Sequence, residues 1–247
     1  GGEAAAAARR SRVLSPVLLA TTLDEEEVRL LNSLARQHGG KVVTKWSSAV
    51  THLVSTTRCS SNGAAAGQRL CGRTIKYMSA VLSGQWVVAS SWLRASSAAA
   101  GWVAEEEHEV HGDNSSISAV SGLGAGGPRR GRLHLEGGGP RLFDGLHFHL
   151  HGPFNKPSRK DLLSLLREGG GTAAADKWPD SRGAAADPLV LYGDLPDDEL
   201  EPLQSRCAES GLGPPAHANW VFESISRHEC LPRPGVAEVP SQESEVY

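Results

Sequence analysis

The feature that most constrains the fold of this chain is a duplication, because one order of predicted strands and helices occurs twice. In the first copy, a short apolar run at 17–20 is followed by an amphipathic helical pattern at 24–38 that ends in glycines. In the second copy, the strand-like segment at 141–152 is followed by a similar helical pattern at 156–171. The repeat length of about 125 residues exceeds the roughly 20–50 residues of solenoid repeats, so the pattern indicates two domains of one kind.

Each copy follows the order β-α-β-β-α-β-α within about 100 residues, which predicts an α/β fold with a small sheet flanked by helices. The sheet is expected to be four-stranded and mostly parallel. Trp92 and Trp220 occupy matching positions in the last helix of each copy and are predicted to anchor the two cores. The predicted organisation is a disordered segment, a first repeat, a Gly/Ser-rich linker, a second repeat and a tail, at 1–12, 13–112, 113–140, 141–235 and 236–247 respectively.

Composition excludes several classes of protein. The 247 residues carry a net charge of −3, which gives no reason to expect nucleic-acid affinity over the whole surface. The four cysteines are far apart and form no C-x-x-C pair, a pattern that suits a reducing compartment rather than a disulfide scaffold. We expect an intracellular, soluble protein, because no apolar run approaches the roughly 18–20 residues that span a bilayer and the start has no apolar signal segment.

One predicted helix carries two cations that need an explanation. Ile75, Met78 and Leu82 share the spacing of a buried stripe, while Arg73 and Lys76 lie three residues apart on another face. Most paired charges on a helix are simply a solvated face. The alternative is that the two cations hold an anion, and the residues alone leave both interpretations open.

Several motifs in a fixed order resemble a known family. The segments "THLV", "RTIKYMSAVLSGQWVV", "EEHEVHG", "GPRRGRL" and "PRLFDGLHFHLHGPF" resemble tandem BRCT domains. The resemblance spans about residues 15–235. It is strongest to the pairs of the breast-cancer-susceptibility ubiquitin ligase and of its RING-domain partner, with the linker and second repeat closer to the partner. It implies two BRCT repeats in a nuclear DNA-damage-response protein. It assigns no enzymatic activity and no cofactor to this chain, since any ligase activity would need a RING segment that this sequence lacks.

The resemblance also implies a ligand, because tandem BRCT pairs of this family bind phosphoserine peptides. The phosphate-binding positions of the family fall on Thr21, Thr22 and Lys76. The arginine that holds the peptide main chain falls on Arg73, with Thr74 beside it. At Thr22 the family has glycine, which gives a phosphate closer access to the backbone. The groove between the repeats would take Met78 on one wall and the segment 155–157 on the other.

Other signals suggest different chemistry. The linker arginines Arg129, Arg130 and Arg132 could contact DNA or the acidic surface of a nucleosome, and an ordinary solvated linker is an equally good interpretation. "GLGAGG" at 122–127 matches G-x-G-x-x-G by letter, but neither a strand before it nor a helix after it is predicted, so a dinucleotide site is not expected. The sequon at Asn114 would be used only in a secreted protein.

Three histidines alternate along "HFHLH". His147, His149 and His151 would share one face of a strand, which could form a metal cluster. A strand with one half-exposed edge is the commoner interpretation of this pattern, and no metal site is predicted. The function predicted from the sequence is therefore phosphopeptide recognition in the nucleus, with phosphorylated proteins as partners and with heterodimer formation through regions outside this chain. The alternative is a chromatin or nucleic-acid binding module with a vestigial phosphate pocket; no membrane contact is expected.

Overall fold

A computed structural model describes residues 15–60, 67–115, 126–174, 178–179 and 188–235. The described chain forms two compact units. The first comprises the residues up to Leu142 together with Ile225–Glu229, and the second comprises the remainder from Phe143 onward. The terminal segments predicted at 1–12 and 236–247 lie outside the described residues. Across the described residues, every helix is too short or too polar to cross a membrane.

The first unit contains a fully parallel four-stranded sheet. Its strands β1 (Val17–Thr21), β2 (Lys41–Val43), β3 (His52–Ser55) and β6 (Trp86–Ala89) take the order β2-β1-β3-β6. A smaller sheet, absent from the predicted plan, is built from β4 (Thr57–Cys59), β5 (Arg69–Cys71) and β7 (Gly112–Asp113). The helices are α1 (Glu25–His38), α2 (Ile75–Leu82), α3 (Ser91–Ala98) and α4 (Gly127–Glu136).

Helix α1 begins and ends where its sequence predicts. Asp24 and Glu27 form a capping box: Asp24 Oδ1 accepts from the Glu27 amide at 2.8 Å, and Glu27 Oε2 accepts from the Asp24 amide at 3.3 Å. Gly39 ends the helix in the left-handed conformation, with φ 77°. The apolar face of α1 packs on β1 and α3 through a core of buried residues: Leu18, Leu31, Leu34, Val54, Val88 and Trp92.

The second unit repeats this plan. Its strands β8 (His147–His151), β9 (Thr172–Ala174), β10 (Leu189–Tyr192) and β11 (Ala216–His217) are parallel, in the order β11-β10-β8-β9. Its helices are α5 (Arg159–Glu168), α6 (Asp197–Glu209) and α7 (Asn219–Arg227), of which the last residues, from Ile225, are grouped with the first unit. The two sheets have matching strand orders, which confirms the predicted α/β fold with a small, mostly parallel four-stranded sheet in each repeat. Trp92 is fully buried as predicted, and Trp220 is partly buried against Phe143 and Phe148.

Two sequence expectations fail at the second half of the predicted linker. Residues 113–140 contain helix α4, which belongs to the first unit, and this helix begins at Gly127, where no helix was predicted. The small size of Gly131 allows the close approach to α2: a Cβ there would come within 2.6 Å of the Val81 carbonyl oxygen. Glycine content therefore reflects helix packing here rather than a flexible connection. Most of "GLGAGG", at 122–125, lies outside the described residues.

Arg132 holds α4 to the rest of the first unit. Its Nε and Nη2 donate to the two carboxylate oxygens of Glu109, each at 3.0 Å, and its guanidinium lies 3.5 Å from the ring centroid of Trp86. Arg132 is 6% exposed and Glu109 is 7% exposed. This pairing removes Arg132 from the predicted basic contact surface, because a buried guanidinium in a bidentate pair cannot meet a ligand.

We expect Arg132→Ala to lower the free energy of unfolding by about 3–5 kcal/mol, because it leaves the buried Glu109 carboxylate without its partner. The matched control is Arg129→Ala on the exposed side of the same helix, which should stay within about 0.5 kcal/mol of the parent. Urea unfolding measures both. Equal stability of the two variants would contradict the structural role of Arg132.

Candidate functional site

The carboxyl end of β1 lies beside the amino-terminal end of α2 and brings three predicted residues together. The Lys76 ammonium donates to the Ala20 carbonyl oxygen at 2.9 Å. The hydroxyl oxygens of Thr21 and Thr74 lie 3.2 Å apart. Parallel sheets place strand carboxyl ends at one edge, which is where ligands of open α/β sheets bind. Two hydroxyls and one ammonium thus meet at a helix N-terminus, a combination suited to an anion.

Thr74 orients this helix end. Its side-chain oxygen accepts from the Tyr77 amide at 3.1 Å, so Thr74 is the N-cap of α2. The same hydroxyl faces Thr21, and Thr74 thereby links the helix cap to the end of β1. Lys76, at the second position of the helix, is held by its bond to Ala20. The positions of the predicted phosphate-site side chains therefore follow from helix capping and from strand order.

Thr22 retains a backbone conformation that favours glycine. Its φ is 56°, in the left-handed region, which costs a residue with a Cβ roughly 1–2 kcal/mol. Two hydrogen bonds hold it there: the Thr22 hydroxyl meets the Ser55 hydroxyl at 3.0 Å, and the Thr22 carbonyl accepts from the Thr56 hydroxyl at 2.7 Å. The side chain is exposed. The threonine thus occupies a turn that favours glycine and adds a side chain at its surface.

Arg73 is tied to residues that the sequence analysis missed. Its Nε donates to Asp113 Oδ1 at 3.0 Å, and its Nη2 bonds the Ser115 hydroxyl. Asp113 is fully buried, so the ion pair is shielded from water on one side. The motif "EEHEVHG" ends one residue before Asp113, and no local pattern marks this aspartate as the partner of Arg73.

Two buried residues, Cys71 and Tyr77, lie near Asp113. Burial raises the pKa of the Cys71 thiol, with the Asp113 carboxylate adding to the effect. Burial likewise raises the pKa of the Tyr77 phenol well above its ordinary value. Both groups therefore stay neutral, which leaves Arg73 and Asp113 as the charged pair at this position.

The residues predicted to line the groove lie in different units. Met78 is 4% exposed in the first unit. In the second unit, Asn155, Lys156 and Pro157 line a cleft of about 40 Å³, and the Asn155 amide donates to Asp194 Oδ2 at 2.8 Å. That these segments form one peptide groove stays a prediction.

The other predicted sites take different positions. Of the linker arginines, Arg129 and Arg130 are exposed on α4, and Arg130 Nε donates to the Arg227 carbonyl oxygen at 2.8 Å. The three histidines lie on β8, a central strand between β9 and β10, with His147 exposed, His151 partly buried and His149 only 5% exposed. Within the described residues, no group of three or more metal-ligating side chains is placed to hold a metal ion.

A pair of substitutions separates backbone strain from hydrogen bonding at Thr22. Thr22→Gly and Thr22→Val both remove the hydroxyl bond to Ser55, but only glycine relieves the positive φ. We expect the glycine variant to be more stable than the valine variant by about 1 kcal/mol, after the entropic cost of glycine in the unfolded chain is included. Urea unfolding measures the difference. A valine variant as stable as the glycine variant would show that the turn carries no strain.

Comparisons with known proteins agree with this architecture. Residues 14–97 match the BRCA1 C Terminus (BRCT) domain. BRCA1-associated RING domain protein 1 of Arabidopsis thaliana is 32% identical over 239 residues, which cover 87% of this chain and 31% of that protein. Protein BREAST CANCER SUSCEPTIBILITY 1 homolog of the same plant is 29% identical over 220 residues, covering 87% of this chain and 22% of that protein. The chain thus spans less than a third of the length of either relative.

A solved structure shares the fold. The S. pombe Brc1 BRCT5-BRCT6 domains align with a TM-score of 0.56 at 18% identity, covering 87% of this chain and 93% of that one. The predicted resemblance to tandem BRCT domains is confirmed by these comparisons, and identity is higher to the RING-domain protein than to the susceptibility protein.

Proposed function

This chain belongs to the BRCT domain family, and we propose that it is a phosphopeptide-recognition module of a nuclear DNA-damage-response protein. Tandem BRCT domains are binding modules rather than catalytic ones. The observation that carries the proposal is the meeting of the Lys76 ammonium with the Thr21 and Thr74 hydroxyls at the N-terminus of α2. In this proposal, phosphoserine or phosphothreonine is the modified residue that the first repeat reads.

The proposed contacts follow from charge and donor geometry. A phosphate monoester carries about −1.5 to −2 charges near neutral pH and three strong acceptor oxygens. Lys76 supplies a cation, Thr21 supplies a hydroxyl, and Thr22 supplies an amide at the turn. Arg73, oriented by Asp113, would donate to the peptide main chain, with Met78 and Thr74 close to the same helix end. A charged donor beside neutral donors is the set that binds phosphate most strongly in proteins.

We expect Lys76→Met to weaken binding of a phosphoserine peptide by about 2–5 kcal/mol, because it deletes a charge-assisted contact. The peptide is one selected from an oriented phosphopeptide library, and its unphosphorylated counterpart gives the baseline. Lys45→Met replaces an exposed lysine of the same unit and should leave affinity unchanged. Titration calorimetry measures both, with thermal unfolding as the check on folding. Unchanged affinity in a folded Lys76→Met protein would show that the phosphate site lies elsewhere.

The alternative function is binding to chromatin or nucleic acid through the basic residues of α4. The exposed positions of Arg129 and Arg130 favour it, whereas the burial of Arg132 removes one of the three cations on which it was based. It requires binding that falls steeply with salt and does not depend on phosphorylated peptide. The relatives named above include a RING domain protein, and heterodimer formation by that kind of protein would use regions outside this chain.

A further inference from the structure

The second unit gathers two arginines and two histidines near the end of its first strand. His149 and His151 lie on β8, Arg159 is the first residue of α5, and Arg206 is in the last turn of α6. These four residues are named here the β8 cation cluster. Trp178 joins three of them: the Arg206 guanidinium lies 3.9 Å from its ring centroid, and the His149 and His151 rings meet it edge-on at 5.2 and 5.7 Å.

The cluster has little compensating negative charge. Neither Arg159 nor Arg206 forms an ion pair with any carboxylate of the described residues. Arg159 Nη2 instead donates to the Gly152 carbonyl oxygen at 2.7 Å. Glu199 is the one carboxylate in the described part of the chain whose field acts on His151, and it opposes the fields of Arg206 and Arg159 there.

The pKa of His149 responds to the positive charge of the neighbouring arginines. Burial lowers the pKa of His149 first, and His151, Arg159 and Arg206 lower it further. The side chain is 5% exposed, and its Nδ1 has no hydrogen-bond partner among the described residues. A buried polar atom without a partner is costly, so it indicates a missing ligand or solvent molecule. An anion would accept a hydrogen bond from the protonated Nδ1 and would balance the charge of the two arginines.

The turn beside the cluster contains a glycine. Gly152 follows β8 as Thr22 follows β1, and both have positive φ, 74° and 56° respectively. The second unit therefore has glycine at the position where the first unit has a threonine side chain. Glycine has no Cβ, so the Gly152 turn lacks the side chain that Thr22 places beside the main chain in the first unit.

From this placement we propose that the β8 cation cluster and the Gly152 turn form a second anion site, which takes a phosphate group. Two guanidiniums match the tetrahedral oxygens of phosphate, to which each can donate two hydrogen bonds. They repel a divalent cation, which argues against the metal cluster suggested by the three histidines. The second anion site does not rest on the Lys76 site, because the two lie in different units.

The test uses the untagged full chain carrying Lys76→Met, so that the first-unit site is disabled. Inorganic phosphate is titrated at constant ionic strength while the His149 and His151 ring signals are followed by NMR across pH. Bound phosphate should raise the pKa of both histidines and shift their signals saturably, because a nearby dianion favours the imidazolium. The double variant Arg159→Gln/Arg206→Gln should weaken this binding about tenfold or more. Arg167→Gln, an exposed arginine of α5, is the matched control and should bind as the parent does.

A phosphoserine peptide forms the second arm and identifies the source of the phosphate group. Tighter binding of the peptide than of inorganic phosphate would assign a phosphorylated side chain, and the reverse order would assign free phosphate. The site would be overturned if neither inorganic phosphate nor the peptide moved the His149 and His151 signals. This outcome can be read from the Lys76→Met protein alone, without the arginine variants. Equal shifts in the double variant and in Arg167→Gln, with all proteins folded, would also overturn it.

Discussion

The proposed binding site depends on one constraint, the fixed direction of the strands in the first sheet. Because β1, β3 and β6 are parallel, their carboxyl ends share one edge, and the N-terminus of α2 lies at that edge. The Lys76 bond to the Ala20 carbonyl and the Thr21–Thr74 hydroxyl pair are the direct links across it. A reversed β1 would carry Thr21 to the opposite edge of the sheet, away from Lys76. Sheet topology therefore determines which side chains can act together.

The internal duplication shows how one scaffold supports different surfaces. Both units have matching strand orders and a positive-φ residue after the first strand. In the first unit, this turn is surrounded by hydroxyls and one lysine. In the second, Arg159 bonds the carbonyl of the turn, and the histidines of the preceding strand contact Trp178. The backbone conformation is retained while the chemistry of the side chains differs, as expected when binding sites are carried on a common fold.

Local patterns in the sequence predicted the parts of the structure that local forces determine. The capping box at Asp24, the glycine end of α1 and the apolar spacing of α2 depend on neighbours a few residues away, and each was visible in the sequence. The partner of Arg132 was not, because Glu109 lies 23 residues earlier and the bidentate geometry exists only after α4 packs. The Gly-rich composition of 113–140 predicted a linker where α4 lies. Composition alone does not distinguish a glycine that permits close helix packing, such as Gly131, from a glycine in a linker. The sequence also could not show that Asp113 holds Arg73, because a strand that ends in aspartate fits many environments.

The most direct test of the account is a map of backbone amide shifts when a phosphoserine peptide and its unphosphorylated twin are added in turn. Phosphate bound at the end of β1 should shift the amides of Thr21, Thr22 and the first turn of α2 only with the phosphorylated peptide. Arg129 and Arg130 on α4 should be unaffected. Shifts centred on α4, equal for the two peptides and abolished by salt, would contradict the phosphate site and support the chromatin or nucleic-acid alternative.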